Sequence, residues 1–179
     1  MKRLSALALI LTLAFISGCG YTTASMLPPE MDSIHIKNFE NKIDVEHVVS
    51  DKRSTYDYWP ALEVDITRAV INSFIFDGTL AVTSERDAKM VLEGMLVDFK
   101  LFPLSYDKSD NINEFRVSVT VDLTLYNNVT GEVMWKEPAF QGQSTFTTVG
   151  PNALTEGEAV REAVKDLSAR VVERVIEVW

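Results

Sequence analysis

From Phe115 to Tyr126 the chain reads FRVSVTVDLTLY, and apolar and polar residues alternate in it without a miss. Val117, Val119, Val121, Leu123 and Leu125 fall on one side; Arg116, Ser118, Thr120, Asp122, Thr124 and Tyr126 fall on the other. A period of two over so long a run cannot place its apolar residues on one face of a helix. It demands a strand with one face in a core and one face open. The next residues, NNVTG, supply turn chemistry and EVMW restarts a strand, so the pair reads as an antiparallel hairpin. The remaining elements must cover the apolar face of that hairpin.

Two segments are suited to do so. In WPALEVDITRAVINSFIFDG, Pro60 fits a first helical turn and Gly78 the position past the last. Leu62, Ile66, Ala69, Val70 and Phe74 form an apolar stripe, with Glu63, Asp65, Thr67 and Arg68 mostly to the other side. In TEGEAVREAVKDLSARVVERVIEVW, Thr155 and Glu158 form a capping box. Val160, Ala163, Val164, Leu167, Val171, Val175 and Val178 then make one face. On the other, Glu162 and Asp166 pair in spacing with Arg161, Lys165 and Arg170, which suits a solvated surface.

Weaker strand signals come from SIHIKNF, with Ile34 and Ile36 opposite His35 and Lys37, and from TLAVTS, with Leu80 and Val82 together. KMVLEGMLVDFKLFPL has mixed phase. Val91, Met95, Val97, Phe99 and Leu101 share a parity, Glu93 interrupts it, and Gly94 suits a bulge that resets it. Glu40–Tyr58 reads as a long, charge-rich loop, either mobile or a contact surface. The order is strand, helix, about four antiparallel strands, helix. The expected fold is α+β: a two-layer sandwich, a mostly antiparallel sheet of about four strands with two amphipathic helices on one face.

The N-terminus is an address rather than part of this fold. Lys2 and Arg3 precede an apolar run from Leu4 to Ile16, which is too short to span a bilayer and is followed by Ser17 and Gly18. Ile16-Ser17-Gly18-Cys19 resembles the bacterial lipobox, in which the cysteine thiolate is alkylated by a diacylglycerol donor. Cys19 is the only cysteine in the chain, so it can form neither an internal disulfide nor a thiolate metal cluster. The reading is a lipoprotein signal peptide over 1–18, a lipidated Cys19 and tether over 19–32, and a single domain over 33–179. The implied anchor is an S-diacylglycerol and an N-acyl chain such as palmitate, several chains being enough to hold a protein on a membrane. GYTTASMLPPEMDS after the cysteine is small and polar with Pro28-Pro29, and fourteen such residues reach at most about 46 Å. Gly20 rather than Asp resembles the outer-membrane choice in lipoprotein sorting.

Processing leaves 161 of 179 residues and removes two cations, so the formal charge falls from −9 to −11. That balance argues against nucleic acid as a partner. Neither histidine, His35 or His47, stands near a nucleophile signature, and there is no Gly-rich phosphate loop or metal-ligand motif. The expectation is a protein that is not an enzyme and carries no cofactor beyond its covalent lipid.

The succession GCGY, LPPEMDSIHIKNFENK, an amphipathic helix ending in FDG, VLEG, FRVSVTVDLTLYNNVTGEVMW and TEGEAVREAVKDLSARVVERVIE resembles the LPS-assembly lipoprotein family, LptE. The Glu40–Tyr58 loop is where the chain departs from it. The resemblance implies an outer-membrane lipoprotein of the Gram-negative envelope, anchored to the periplasmic leaflet. It implies a plug inside a large β-barrel partner of the LptD type that delivers lipopolysaccharide to the cell surface. A barrel lumen is polar, so Ser118, Thr120, Asp122, Thr124 and Tyr126 are the candidate barrel-contact face. The family is also implicated in binding lipopolysaccharide through basic residues near loop ends, for which Lys108 and Arg116 are the candidates. The alternative is a periplasm-facing envelope lipoprotein that scaffolds another membrane complex, since IHIKNFENK is also similar to other envelope lipoproteins. A periplasmic hydrolase would need a nucleophile and base brought together by the fold.

Overall fold

The computed structural model describes residues 30–43, 59–151 and 153–177. The signal peptide, Cys19, nearly all of the tether, His47, most of the Glu40–Tyr58 segment and Val178 lie outside the described residues. Along the chain come β1 (Ser33–Ile36), β2 (Glu40–Asn41), α1 (Leu62–Asp77), β3 (Ala81–Val82), β4 (Met90–Tyr106), β5 (Ile112–Asn127), β6 (Val133–Thr147) and α2 (Glu156–Glu177).

The strands form one six-stranded sheet in the order β3-β1-β4-β5-β6, with β2 also on β4. β4, β5 and β6 are an antiparallel meander, as the hairpin signal implies. The other half is parallel: β1 pairs with β3 and β4, and β2 with β4. The sheet is therefore mixed and larger than the mostly antiparallel sheet of about four strands expected from periodicity. The cause is topological. The chain leaves β1, crosses through α1 and returns as β3 alongside β1, and such a crossover makes neighbours parallel. β2 is two residues long and lies in the charged segment read as loop, so it has no periodicity to betray it.

The stop of α1 at Gly78 and the start of α2 at Thr155 are kept, whereas α1 begins at Leu62 with Ala61 as its N-cap, so Pro60 precedes the first helical turn instead of lying in it. Gly78 takes φ 75° and donates its N–H to the Phe74 carbonyl, closing α1. At α2, the Thr155 N–H donates to Glu158 Oε2 and the Glu158 N–H to Thr155 Oγ1, at 2.8 and 3.3 Å. Both helices lie on one face of the sheet. Leu62, Ile66, Val70 and Phe74 of α1 and Ala163, Leu167, Val171 and Val175 of α2 bury against Ile34, Met90, Leu92, Val117, Val119, Val121, Leu123 and Leu125. Thr67 departs from its assigned polar side: it is buried, accepts the Phe39 N–H and donates to the Glu63 carbonyl.

The phase reset in β4 is at Val97, not Gly94. Register is regular from Met90 to Leu96 and shifts before Asp98, so Met90, Leu92 and Leu96 face the core before it and Phe99 and Leu101 after it. Gly94 has a different task. A β-carbon there would stand 2.0 Å from the Phe39 ring, so the glycine makes room for that ring to lie on β4. Gly142 does the same for α2, where a β-carbon would meet Leu167 Cβ at 2.4 Å. α2 also closes the outer edge of β6: Asp166 Oδ2 accepts the Gln143 N–H at 2.9 Å and the Arg170 guanidinium donates to the Gln141 carbonyl. With the helices on one face, the opposite sheet face is left open.

Candidate interaction face of the sheet

The open face is built by the residues of β5 that alternate with its core set, flanked in register by β4 and β6. Ser118 lies between Lys100 and Gln143, Thr120 between Asp98 and Gln141, and Thr124 between Glu93 and Lys136. The structure brings the five β5 candidates onto one face but does not expose them equally. Ser118 and Thr120 are 6% and 5% exposed, because short side chains sit at the floor between longer ones on both neighbouring strands. Lys100 pairs with Asp98 along one wall, and Gln143 donates to Gln141 along the other. Asp122 is committed internally. An extra residue in β6 lies opposite it, and its Oδ1 accepts the Ala139 N–H at 2.8 Å, where Ala139 has φ 53°. Thr124 and Tyr126 are half-buried and open to the surface.

Around those two lies a depression of about 330 Å3 lined by Lys37, Asn38, Glu40, Glu93, Gly94, Met95, Thr124, Tyr126 and Lys136. Its charges are set by the parallel β1–β4 pairing. Lys37 Nζ is 2.9 Å from Glu93 Oε1 and 3.1 Å from Glu85 Oε1. The hydrogen bond from Lys37 holds the Glu93 carboxyl below its usual range; burial opposes it, and a weaker hydrogen bond from Tyr126 adds to the lowering. Those same two carboxylates raise the Lys37 ammonium. Burial, then the hydrogen bond to Glu93, raises the Tyr126 phenol. Lys136 has no ion-pair partner among the described residues. His35 Nδ1 lies 3.0 Å from the Thr83 carbonyl oxygen, so that nitrogen carries the proton and the ring is held on the sheet edge.

The lipopolysaccharide candidates are on the same long hairpin but not side by side. Arg116 is exposed on β5, in register with Phe102 and Thr145. Lys108 is in the β4–β5 turn, whose shape comes from Asp107 Oδ1 accepting the Ser109 and Asn111 N–H groups. Those backbone N–H bonds, the Asn111 one foremost, also lower the Asp107 pKa. Four residue steps of strand take Ile112 to Arg116, about 13 Å. Between the two cations stand the exposed Phe102, Leu104 and Tyr106.

Sequence reasoning missed the Lys37–Glu93–Glu85 cluster and Lys136. The alternation in SIHIKNF puts Lys37 on a solvent face, which is the only local sign; the partner 56 residues away is not legible. Among the described residues no group of three or more His, Cys, Asp or Glu side chains could hold a metal ion, and no helix is long and apolar enough to cross a membrane. What this face can do chemically is offer hydrogen bonds and mixed charge to a polar surface.

Comparison with known proteins is consistent with that architecture. PelC of Paraburkholderia phytofirmans, solved as a dodecamer, superposes with a TM-score of 0.50 at 15% identity, over 86% of this chain and 96% of that one. A protein of Xanthomonas campestris gives 0.51 at 12% identity, over 87% and 92%. A hypothetical protein of Chlamydia trachomatis gives 0.51 at 9%, over 80% and 94%. At such identities the likeness is one of fold. No curated protein sequence matches the chain. The LptE lipopolysaccharide-assembly family model, however, matches residues 31–177, which is nearly the whole of the folded domain. The chain belongs to the LptE lipopolysaccharide-assembly family.

Proposed function

We propose that this protein is an outer-membrane lipoprotein, lipidated at Cys19 and held in the periplasmic leaflet. There it plugs, and assists assembly of, the β-barrel lipopolysaccharide translocon, an LptD-like partner. Its role is binding rather than catalysis. Family membership supports the lipopolysaccharide-assembly role. The observation that carries the plug reading is the open sheet face, which is polar, of mixed sign and concave around Thr124 and Tyr126. Such a surface matches a wet, hydrogen-bonding barrel lumen. The contact is expected around Thr124, Tyr126, Lys136 and Gln143 rather than on the floor residues Ser118 and Thr120. Lipopolysaccharide contact is assigned to the β4–β5 hairpin, where Lys108 and Arg116 bracket Phe102, Leu104 and Tyr106, a pattern suited to an anionic amphiphile.

Photo-crosslinkers at Thr124, Lys136 and Gln143 test this in cells that make lipopolysaccharide. They should capture one outer-membrane β-barrel protein, and depletion should leave lipopolysaccharide short of the surface. Capture of no barrel from any position would favour a scaffold for another envelope complex. Lys108→Glu with Arg116→Glu should weaken lipopolysaccharide binding and leave barrel capture intact; unchanged binding would reduce both to ordinary surface charges.

A further inference from the structure

The chain enters the fold at one end of the sheet, and that end gathers exposed apolar side chains from separate elements. β1 starts at Ser33 beside Ala81, and the Ala81 N–H donates to the Asp32 carbonyl. α1 ends just before β3, so its last turn is at the same end. The β5–β6 turn is there too: the Asn128 side-chain amide donates to the carbonyls of Glu85 and Ala88 in the β3–β4 loop. On this end Phe76 is 94% exposed, Val129 71%, Ile75 62% and Val133 46%. These four span about 20 Å of sheet width. The opposite end also exposes apolar side chains, among them Phe102, Tyr106, Val149 and Leu154, so the position of the tether and not apolar exposure alone selects this end.

We propose that this end is a membrane-docking face. Phe76 and Ile75 on one side, and Val129 and Val133 on the other, enter the headgroup boundary of the leaflet that holds the Cys19 lipid. The choice of a bilayer as occupant rests on the lipid-anchor reading and on chain length. Thirteen residues separate Cys19 from Ser33. As a flexible chain their ends average about 20 Å apart, whereas the far end of β5 lies about 50 Å further along the strand. The β1 end is thus the end the anchor keeps at the surface, whether or not the rest of the domain enters a barrel. Charges here alternate, with Glu85, Arg86, Asp87 and Lys89 in one loop, so the contact depends on apolar area and not on attraction to anionic lipid.

The test uses the full, natively processed protein. Because the lone cysteine is consumed by the lipid, Phe76→Cys, Val129→Cys and Leu154→Cys each provide a unique thiol for an environment-sensitive fluorophore. Leu154 lies in the β6–α2 loop at the opposite end. In phosphatidylethanolamine vesicles with a minority of phosphatidylglycerol, spin-labelled lipid should quench positions 76 and 129 several-fold more than 154, with no loss at high salt. Hydrogen exchange of the unlabelled protein should slow on vesicles around residues 75–79 and 128–133, which excludes insertion driven by the dye. Equal quenching at all three positions, with Cys19 lipidated by mass spectrometry, overturns the docking face alone. A free Cys19 thiol overturns the anchor reading and with it the choice of bilayer. A photo-crosslinker at position 76 that captures protein rather than lipid in cells also overturns the proposal.

Discussion

At Gly142 an added methyl would collide with Leu167 Cβ and, at 2.6 Å, with the Ala163 carbonyl oxygen. One is backbone and the other a β-carbon whose position the α2 backbone fixes, so neither obstacle can swing aside. Gly142→Ala is expected to push α2 off β6 and cost about 1–3 kcal/mol, read from denaturant unfolding. The two faces of β5 make a second residue-scale contrast. Thr120 is 5% exposed and in register with Asp98, so Thr120→Asp brings a second carboxylate into a nearly closed trough. It should cost about 2–4 kcal/mol, against less than about 1 for Thr124→Asp on the open part of the same face. Equal melting losses would mean that the trough opens to water. The Lys37–Glu93 pair adds a pH dependence with a definite sign. The Glu93 pKa is lowered on folding, so its contribution is in place above the ordinary value of 4.5 and is lost as pH falls through the folded value. The Lys37 pKa is raised, so its contribution is in place below 10.5 and is lost as pH rises through its folded value. Both side chains are about 40% exposed and solvent screens the pair, so the effect is small. Glu93→Gln should nonetheless flatten the acid limb of stability below about pH 4.5, and an unchanged limb would show the pair to be idle.

Among the elements, α2 does two jobs. Its apolar face covers the meander, and its polar flank occupies the β6 edge through Asp166 and Arg170, while Arg174 lies over the Trp135 ring and bonds Glu137. An open edge strand invites pairing with another chain, and these contacts deny it partners. Asp166→Ala with Arg170→Ala should therefore lower stability by about 1–2 kcal/mol and raise concentration-dependent self-association. Light scattering beside an unfolding titration separates the two effects, and lost stability without association would leave only the hydrogen bonds. β4 shows the converse case of an element shaped by its neighbours. Its shift at Val97 lets one long strand keep apolar residues inward along its length, with β1 and β2 beside its first part and the exposed hairpin at its end.

For the whole molecule, one core joins both helices to β1, β4, β5 and β6, so unfolding should be a single cooperative transition with coincident near- and far-ultraviolet circular dichroism midpoints. Separated midpoints would mean that the β1–β3 half melts apart from the meander. The same unity explains what the amino-acid order determined alone and what it did not. The faces of β5, the stripes of both helices, the Thr155–Glu158 box and the stop at Gly78 follow from periodicity and end chemistry within a few residues, so each was legible before any fold existed. Membership in the lipopolysaccharide-assembly family was legible as a succession of such segments. The parallel half of the sheet, the two residues of β2, the reset at Val97 and the burial of Thr67, Ser118 and Thr120 were not. Each depends on which distant segment lies alongside, and a short polar side chain is exposed or covered according to the length of its cross-strand neighbours. The interaction face shows the division most plainly. Its polar row was readable on β5, but the trough that hides part of it, and the cluster that Lys37 forms with Glu93 and Glu85, arose only when the tertiary pairing of β1 with β4 set those charges side by side.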